Sequence, residues 1–503
     1  MAYNLSRNSR VFVTTNLSTA VGATVASGMS NAPVGSVLAT GFNVNNTWEI
    51  QVLDGFSFSQ APATVDITIN EAGDTPTRGK RTFNTALDPV DISFSTYIRP
   101  RLNGGVATAE ERVLWNALVG SVGIDGTVQA GSTLAAISLS ATGAGTLVRA
   151  STTASSVTLT GATLSGGSLT AGGVYHLKGA TGAGSAPWYG PIKVTSFGST
   201  TLIAEYLTAP AAAAGTASPA LVGATLSQAA WNEYPTNAAV TTSSAVLTTG
   251  MSNKNQLQSL GFIFIVDNTT YVIDNACMDQ AEIDFGLDAI SMIAWSAKGT
   301  LLNQVDTDVV LSAAANPVFS GGLTGTATGK VTTANYITNK LSTVTLQSNL
   351  GGIGGTSYTV VLTGGNMTIA NNITYITPAN IGTVNTPIGY FTGARSISGT
   401  MNAYLRTGAG SAAALLDNLL SNLSTSAETK YRLQLEIGGA SAATRVELDM
   451  PGTVIGIPSV DVQDVISTAI TFSAQGTDSV IGGANANYDL ENTNDLTLRY
   501  YSV

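Results

Sequence analysis

Few residues in this chain are equipped for chemistry. Asp284, Asp288, Asp461 and Asp464 are the nearest thing to a carboxylate constellation, the kind that shares a metal ion or trades a proton. Alternate positions on strands facing solvent or a lumen account for them more simply. His176 is the single histidine, which leaves a Ser/His/Asp triad or a multi-histidine metal site with little to draw on and makes it a surface or packing residue. Cys277 is the single cysteine, so the sequence offers no internal disulfide. With no base near it in the sequence, it reads as a small buried hydrophobe. "GGIGGTS", Gly351 to Ser357, imitates a phosphate-cradling loop, but no helix pattern follows it and a turn is the reading. No catalytic role and no cofactor are expected. The other concentration of chemistry is electrostatic: Glu71, Asp74, Arg78, Lys80 and Arg81 fall in one polar loop.

That loop lies between two strand patterns, V-D-I-T-I and V-D-I-S-F-S-T-Y-I. Its charge stands out because only 10% of the 503 residues are charged, against 44% hydrophobic and 54 glycines. So little charge is unusual for a cytosolic enzyme. It suits a protein whose surface is covered by copies of itself, and a plain secreted β protein nearly as well. The net charge of −10 disfavours electrostatic nucleic-acid binding but suits a surface that repels DNA. The opening "MAYNLSRNSR" has no apolar core of a signal peptide, and no apolar run reaches membrane-spanning length.

Most of the chain reads as short strands punctuated by Gly, Asn, Asp and Ser turns. Two stretches read as helices packed on a sheet. "TAEERVLWNALVG" offers Thr108 and Glu111 as a capping box and Val113, Leu114, Ala117 and Leu118 as one face; "SAAALLDNLLSNL" repeats that face with Leu415, Leu416, Leu419 and Leu420. Residues 121–227 are rich in Ser, Thr, Gly and Ala and read as an inserted all-β module. Around it the chain repeats itself. "VDISFSTYIRP" answers "ISGTMNAYLRT", "LDGFSFSQAPATVDITINEAG" answers "LTGGNMTIANNITYITPANIG", and "AEIDFGLDAISMIAWSAKG" aligns without a gap on "PSVDVQDVISTAITFSAQG". The expectation is a mainly β protein of two tandem sandwich or barrel domains, each with a flanking helix. The first is formed by 1–120 and 228–303, the second by 304–503.

"DITINEAGDTPTRGKRTFNTALDPVDISFSTYI", "DQAEIDF…ISMIAWSAKG" and "NNITYITPANIGTVNTPIGYFTGARSISGTMNAYL" closely resemble the tail tube proteins of long-tailed bacteriophages, of the type with two tube domains fused in one chain. The resemblance covers both repeats and leaves out the insertion. It implies three-chain rings of pseudo-sixfold symmetry, in which inner strands of neighbouring copies join around a lumen and rings stack into a tube. That tube belongs to the virion tail, assembled in the host bacterial cytoplasm. The implied partners are other copies of the chain, a tape measure protein inside, tail terminator and distal tail proteins at the ends, and phage DNA passing without specific binding. Under this resemblance the loop carrying Glu71, Asp74, Arg78, Lys80 and Arg81 is an inter-ring contact. Asp66, Asp91, Glu282, Asp284, Glu447 and Asp461 are candidates for an acidic lumen wall. The insertion is expected to project outward, which favours a non-contractile tail. The alternative is a phage or cell-surface adhesin whose inserted module stacks Trp188 and Tyr189 on a carbohydrate or receptor.

Overall fold

Runs that alternate β-branched or aromatic residues with small polar ones favour pleated, half-buried strands, and the chain folds accordingly. The computed structural model describes residues 9–42, 46–67, 81–103, 106–109, 111–119, 137–149, 156–165, 174–178, 190–198, 201–206, 225–227, 257–267, 269–287, 289–305, 336–348, 357–381, 384–423, 430–438, 445–457, 459–461, 466–475 and 496–501. The first part holds β1 (Ser9–Thr14), β2 (Thr47–Ile50), β3 (Ser57–Ser59), β4 (Pro62–Ile67), β5 (Arg81–Leu87), β6 (Val90–Tyr97), β7 (Pro100–Asn103), β8 (Val106–Ala109) and helix α1 (Arg112–Val119). The insertion supplies β9 (Ile137–Arg149), β10 (Ser156–Ser165), β11 (Val174–Lys178), β12 (Gly190–Phe197), β13 (Thr201–Tyr206) and β14 (Thr225–Ser227). These close into a barrel in the order β9-β10-β13-β12-β11-β14.

Next come β15 (Leu260–Val266), β16 (Thr269–Asp284), β17 (Met292–Gly299) and β18 (Leu301–Val305). The last part holds β19 (Thr343–Ser348), β20 (Ser357–Val360), β21 (Leu362–Ala370), β22 (Thr374–Ile376), β23 (Gly389–Phe391), β24 (Ser396–Tyr404) and helix α2 (Ala412–Leu423). It ends with β25 (Lys430–Ile437), β26 (Arg445–Ile455), β27 (Ser459–Asp461), β28 (Ser467–Gln475) and β29 (Thr497–Tyr501).

One pairing scheme occurs twice. In the first unit β2, β1, β15, the leading part of β16 and β18 lie side by side. In the second unit β20, β19, β25, the leading part of β26 and β29 do the same. The trailing part of each long strand then enters another sheet. There the order is β16-β17-β6-β3 in one unit and β26-β28-β24-β21 in the other. Even the register recurs: Ser57 opposite Ser93 and Phe58 opposite Ile92 match Asn366 opposite Thr400 and Met367 opposite Gly399. Gly399 has no substitute, because a Cβ there would collide with the Asn366 carbonyl and the Phe472 ring. A single apolar cluster runs through both units, including Phe262, Trp115 and Trp295 in one and Leu433, Met450 and Phe472 in the other. Trp115 and Trp295 meet edge-on with ring centroids 4.8 Å apart.

Three sequence expectations change. The charged loop does not simply join the two quoted strands. β5 intervenes, pairs with β4 from Ile67 opposite Arg81 onward, and makes a hairpin of its own. The capping box is absent, because Thr108 is committed to β8 opposite Arg101 and the buried Glu111 carboxylate accepts the Tyr500 hydroxyl. The last strand of the first unit, β18, runs past residue 303 to Val305.

The units differ in what covers the first row of strands. β1 and β2 are joined by a long excursion that lays Leu17, Ala26, Val37 and Phe42 over Phe12, Ile263, Ile265 and Val272. The buried Asp274 carboxylate pins it there, accepting the Val37 N–H at Oδ1 (2.8 Å) and the Asn303 amide at Oδ2 (3.2 Å). Burial pushes this carboxyl up from 3.8 to about 6, and the Val37 hydrogen bond only partly offsets it. The folded state therefore holds a proton that the unfolded chain has released, so stability falls as pH rises from about 4 to about 6 and the cost is complete above that. It amounts to roughly 3 kcal/mol. Asp274→Asn keeps an acceptor for Val37, and Asn303 can rotate its amide to match. The melting temperature of the wild-type subunit should fall between pH 4 and 6 relative to D274N, and parallel curves would refute the assignment.

Candidate functional site

The two sheets entered by the trailing parts of β16 and β26 are one. β16 pairs antiparallel with β21, from Gln280 opposite Ala370 to Asp284 opposite Asn366. The order is thus β3-β6-β17-β16-β21-β24-β28, with the trailing part of β26 and then β27 flanking β28. The Asn366 amide donates to Glu282 across the junction at 3.0 Å. Behind it, the Trp115 indole N–H donates to the Tyr500 hydroxyl at 2.9 Å, and Tyr500 donates to Glu111. The Asn371 side-chain amide donates to the carbonyls of Leu118 (2.6 Å) and Met278 (3.1 Å). Backbone pairing and buried side chains together make the junction a fixed joint.

Period-two alternation gives this sheet two different faces. One is core: Ile92 and Phe94, Ile293 and Trp295, Met367 and Ile369, Ile470 and Phe472. The other carries short hydroxyl and amide side chains, among them Ser57, Ser93, Ser398, Asn402, Thr471 and Ser473, all exposed. The "FSFS" and "DISFSTY" alternation was the signal for this face, but sequence alone did not tell which strands share it. Among strand residues whose side chains are described on it, the charges are Asp91, Glu282 and Asp284 against Lys298, and Lys298 stands opposite Asp91.

The structure thus brings three of the expected wall residues together: Asp91, Glu282 and Asp284. Asp461 ends β27 at the sheet margin, opposite Ser467. Asp66 lies elsewhere, exposed on the β4–β5 hairpin, with the Thr82 hydroxyl donating to it at 2.8 Å. Glu447 is a correction. It is 2% exposed, sits in the leading part of β26 opposite Glu436, and therefore lines no open surface of the subunit. Burial, and then the Glu447 charge, hold the Glu436 carboxyl above its usual range. Of the charged loop, Arg81 opens β5 and is exposed, while Glu71, Asp74, Arg78 and Lys80 lie outside the described residues, as do Trp188 and Tyr189. Cys277 is fully buried, and burial pushes its thiol up to about 12, so it is no nucleophile.

A mainly β chain with an uncharged-to-acidic hydroxyl face on a sheet that spans both halves fits the class of bacteriophage tail tube proteins, structural components of the virion tail. Over nearly its whole length the chain is similar to one protein of that class. The tail tube protein pb6 of Escherichia phage T5 is 25% identical over 505 residues, an alignment that takes in 99% of this chain and 79% of that protein. No family model matches the chain.

Proposed function

We propose that this chain is a tail tube subunit of which three copies close a ring around a DNA-conducting lumen, with rings stacking into the tube. Its two tube domains are 1–120 with 228–303, and 304–503, each counting as one of six pseudo-equivalent positions. Tape measure protein would fill the lumen before ejection, and terminator and distal tail proteins would meet the tube ends. The observation that carries this reading is the β16–β21 joint. It already joins one unit to its equivalent through strands whose counterparts, β27 and β3, have no second partner among the described pairings. Repeating that joint between chains pairs β27 of one copy with β3 of the next. Such closure removes edges that would otherwise recruit strands indiscriminately.

Register follows from the repeat. Thr368 lies opposite Glu282 within the chain, and their counterparts are Ser59 and Ser459. A chain carrying Ser59→Cys and Ser459→Cys should give disulfide-linked species that end at trimers on non-reducing gels of assembled tubes. Neither single variant should do so, and Cys277 is buried too deeply to interfere. Tubes without cross-links would refute the edge assignment, a ladder reaching six chains would refute the trimer, and absence of tubes by negative-stain microscopy would refute the tube reading.

The hydroxyl-rich face then lines the lumen. A wall with more acid than base repels phosphate and gives DNA nothing to hold. Ser93→Lys with Ser398→Lys would add two cations per chain to that wall. Phage carrying the pair should build tubes of normal length but release DNA several-fold more slowly at low salt, and unchanged release would count against the wall assignment.

Ring stacking falls to the hairpins. β4–β5 exposes Val65 and Phe83, both at 56%, and its second-unit counterpart β22–β23 exposes Ile376 and Phe391. The loop with Glu71, Asp74, Arg78, Lys80 and Arg81 extends the first of these and would set register between rings by charge. Arg78→Glu with Arg81→Glu should shorten or abolish tubes, and normal tube length would remove the loop from the contact.

A further inference from the structure

Just before β19 the chain lays a short segment of the second unit on the first. Ile337 accepts the Ser291 N–H (3.0 Å), and Asn339 donates its N–H to the Ala289 carbonyl (3.0 Å) and its side-chain amide to the Gly286 carbonyl (3.1 Å). At the head of this segment Tyr336 meets Tyr97 edge-on, with ring centroids 5.2 Å apart, and the Arg99 guanidinium lies 4.8 Å from the centre of the Tyr336 ring. Arg99 is 3% exposed, so the cation and the ring meet largely out of water, where such a pair is strongest.

Both sides of this contact recur. The matching bulges of β15 and β25 set Phe262 level with Leu433, so Val13 opposite Phe262 corresponds to Leu346 opposite Leu433. Counting back from that pair, Ser9 corresponds to Ser342 and Tyr3 to Tyr336, and "YNLSRNSRV" from Tyr3 keeps the tyrosine, the basic residue, the serine and the valine of "YITNKLSTV" from Tyr336. On the receiving side the Ile98 N–H donates to the Ser291 carbonyl and the Leu405 N–H to the Ile466 carbonyl, each at 3.0 Å. Tyr97 and Arg99 therefore correspond to Tyr404 and Arg406, and Tyr404 ends its ladder opposite Ser467 as Tyr97 ends its own opposite Met292. Yet Tyr404 is 43% exposed, Arg406 is exposed, and no ring lies on either among the described residues. The chain carries two tyrosine–arginine platforms and two tyrosine segments, and it seats one segment on one platform internally.

We infer that the segment leading into β1 seats on the second unit of a neighbouring copy, with the Tyr3 ring against Tyr404 and under the Arg406 guanidinium. This rests on the ring reading above, and the neighbour is the one whose β27 would pair with β3 of this copy. Residues 3–8 lie outside the described residues, so the seat is read from the internal contact and the shared register. It would add a side-chain lock to a joint otherwise made by backbone hydrogen bonds, and it would specify the partner, because a strand edge accepts many chains and this platform a tyrosine at one distance from the edge.

Photo-crosslinking tests the seat directly. Tyr3→benzoylphenylalanine, irradiated in assembled tubes, should link one chain to another through peptide 396–406, and irradiation of the free subunit should link nothing. Linkage to a different peptide, or within one free chain, would overturn the seat. Tyr3→Ala and Arg406→Ala should each raise the subunit concentration needed for assembly several-fold, Tyr3→Phe should not, and the double alanine variant should be no worse than either single one. Assembly of Tyr3→Ala at the wild-type concentration, or additive effects in the double variant, would count against it. Tyr3→Ala should leave the melting temperature of the free subunit unchanged, whereas Tyr336→Ala should lower it; a fall with Tyr3→Ala would place that ring on its own subunit and overturn the seat equally. All of these outcomes leave the tube reading standing, whereas wild-type protein that forms no tubes would remove the reading on which the seat rests.

Discussion

The structure depends on where the backbone hydrogen bonds of one antiparallel sheet go. Every strand from β6 to β28 has neighbours on both sides, and the sheet passes from one unit to the other at β16–β21 without interruption. A strand left at a margin offers a row of donors and acceptors to any chain that meets it. Two margins bound this sheet, and they are of the same two kinds that already meet inside the molecule. In the proposed ring the subunit would carry the specification of its own contact, including register, because the internal joint fixes which residue stands opposite which. A slip of one residue would turn the hydroxyl face toward the core and Ile283 or Met367 toward water, so the alternation of the two faces enforces the register.

The recurring pairing scheme gives this arrangement its economy, and differences of detail make the two units non-interchangeable. The first unit covers the outer face of its β1–β15–β16 row with the 15–46 excursion, closed by Asp274. The second unit joins β19 to β20 through residues 349–356, and the corresponding face of β25 carries Arg432, Gln434 and Glu436 instead of apolar residues. One unit covers this sheet face with added chain, and the other presents polar side chains on it. The helices differ in the same sense. Trp115 of α1 and Glu111 just before it bind Tyr500 of the second unit, whereas α2 presents a plain leucine stripe.

Much of this was legible in the sequence, and the part that was not has a physical reason. The mainly β character and both helices rest on local periodicity, which survives in low-complexity sequence. The alternation in "DISFSTYI" marked Asp91 as surface, and the gapless pairing of Ala281–Gly299 with Pro458–Gly476 marked Asp284 with Asp461. Periodicity, however, says only that a residue lies on one face of a strand. It does not say which sheet that strand joins. Glu447 alternates as regularly as Asp284, yet β26 changes sheets along its length and Glu447 falls in the part facing Glu436. Thr108 and Glu111 have capping-box spacing, but a partner 389 residues away claimed the carboxylate. Tertiary pairing decided both, and no local window contains it.

The character of the inner face follows from the same constraint. In the proposed conduit, a wall that must not bind DNA could be made by piling up acid, but like charges on adjacent strands oppose the pairing on which the sheet rests. Serine and threonine avoid that conflict. They suit strands, keep the face wet and add no charge across the ladder, so a few carboxylates suffice to set the sign of the potential. The cross-strand placing of Lys298 opposite Asp91 and the Asn366 amide on Glu282 fit this logic, since each quiets a carboxylate where strands meet and leaves the net balance acidic. Under the proposed reading, the low charge of the whole chain suits a conduit built from paired strands, because the surfaces that would ordinarily carry charge are those that must pair, pack or let a polyanion pass.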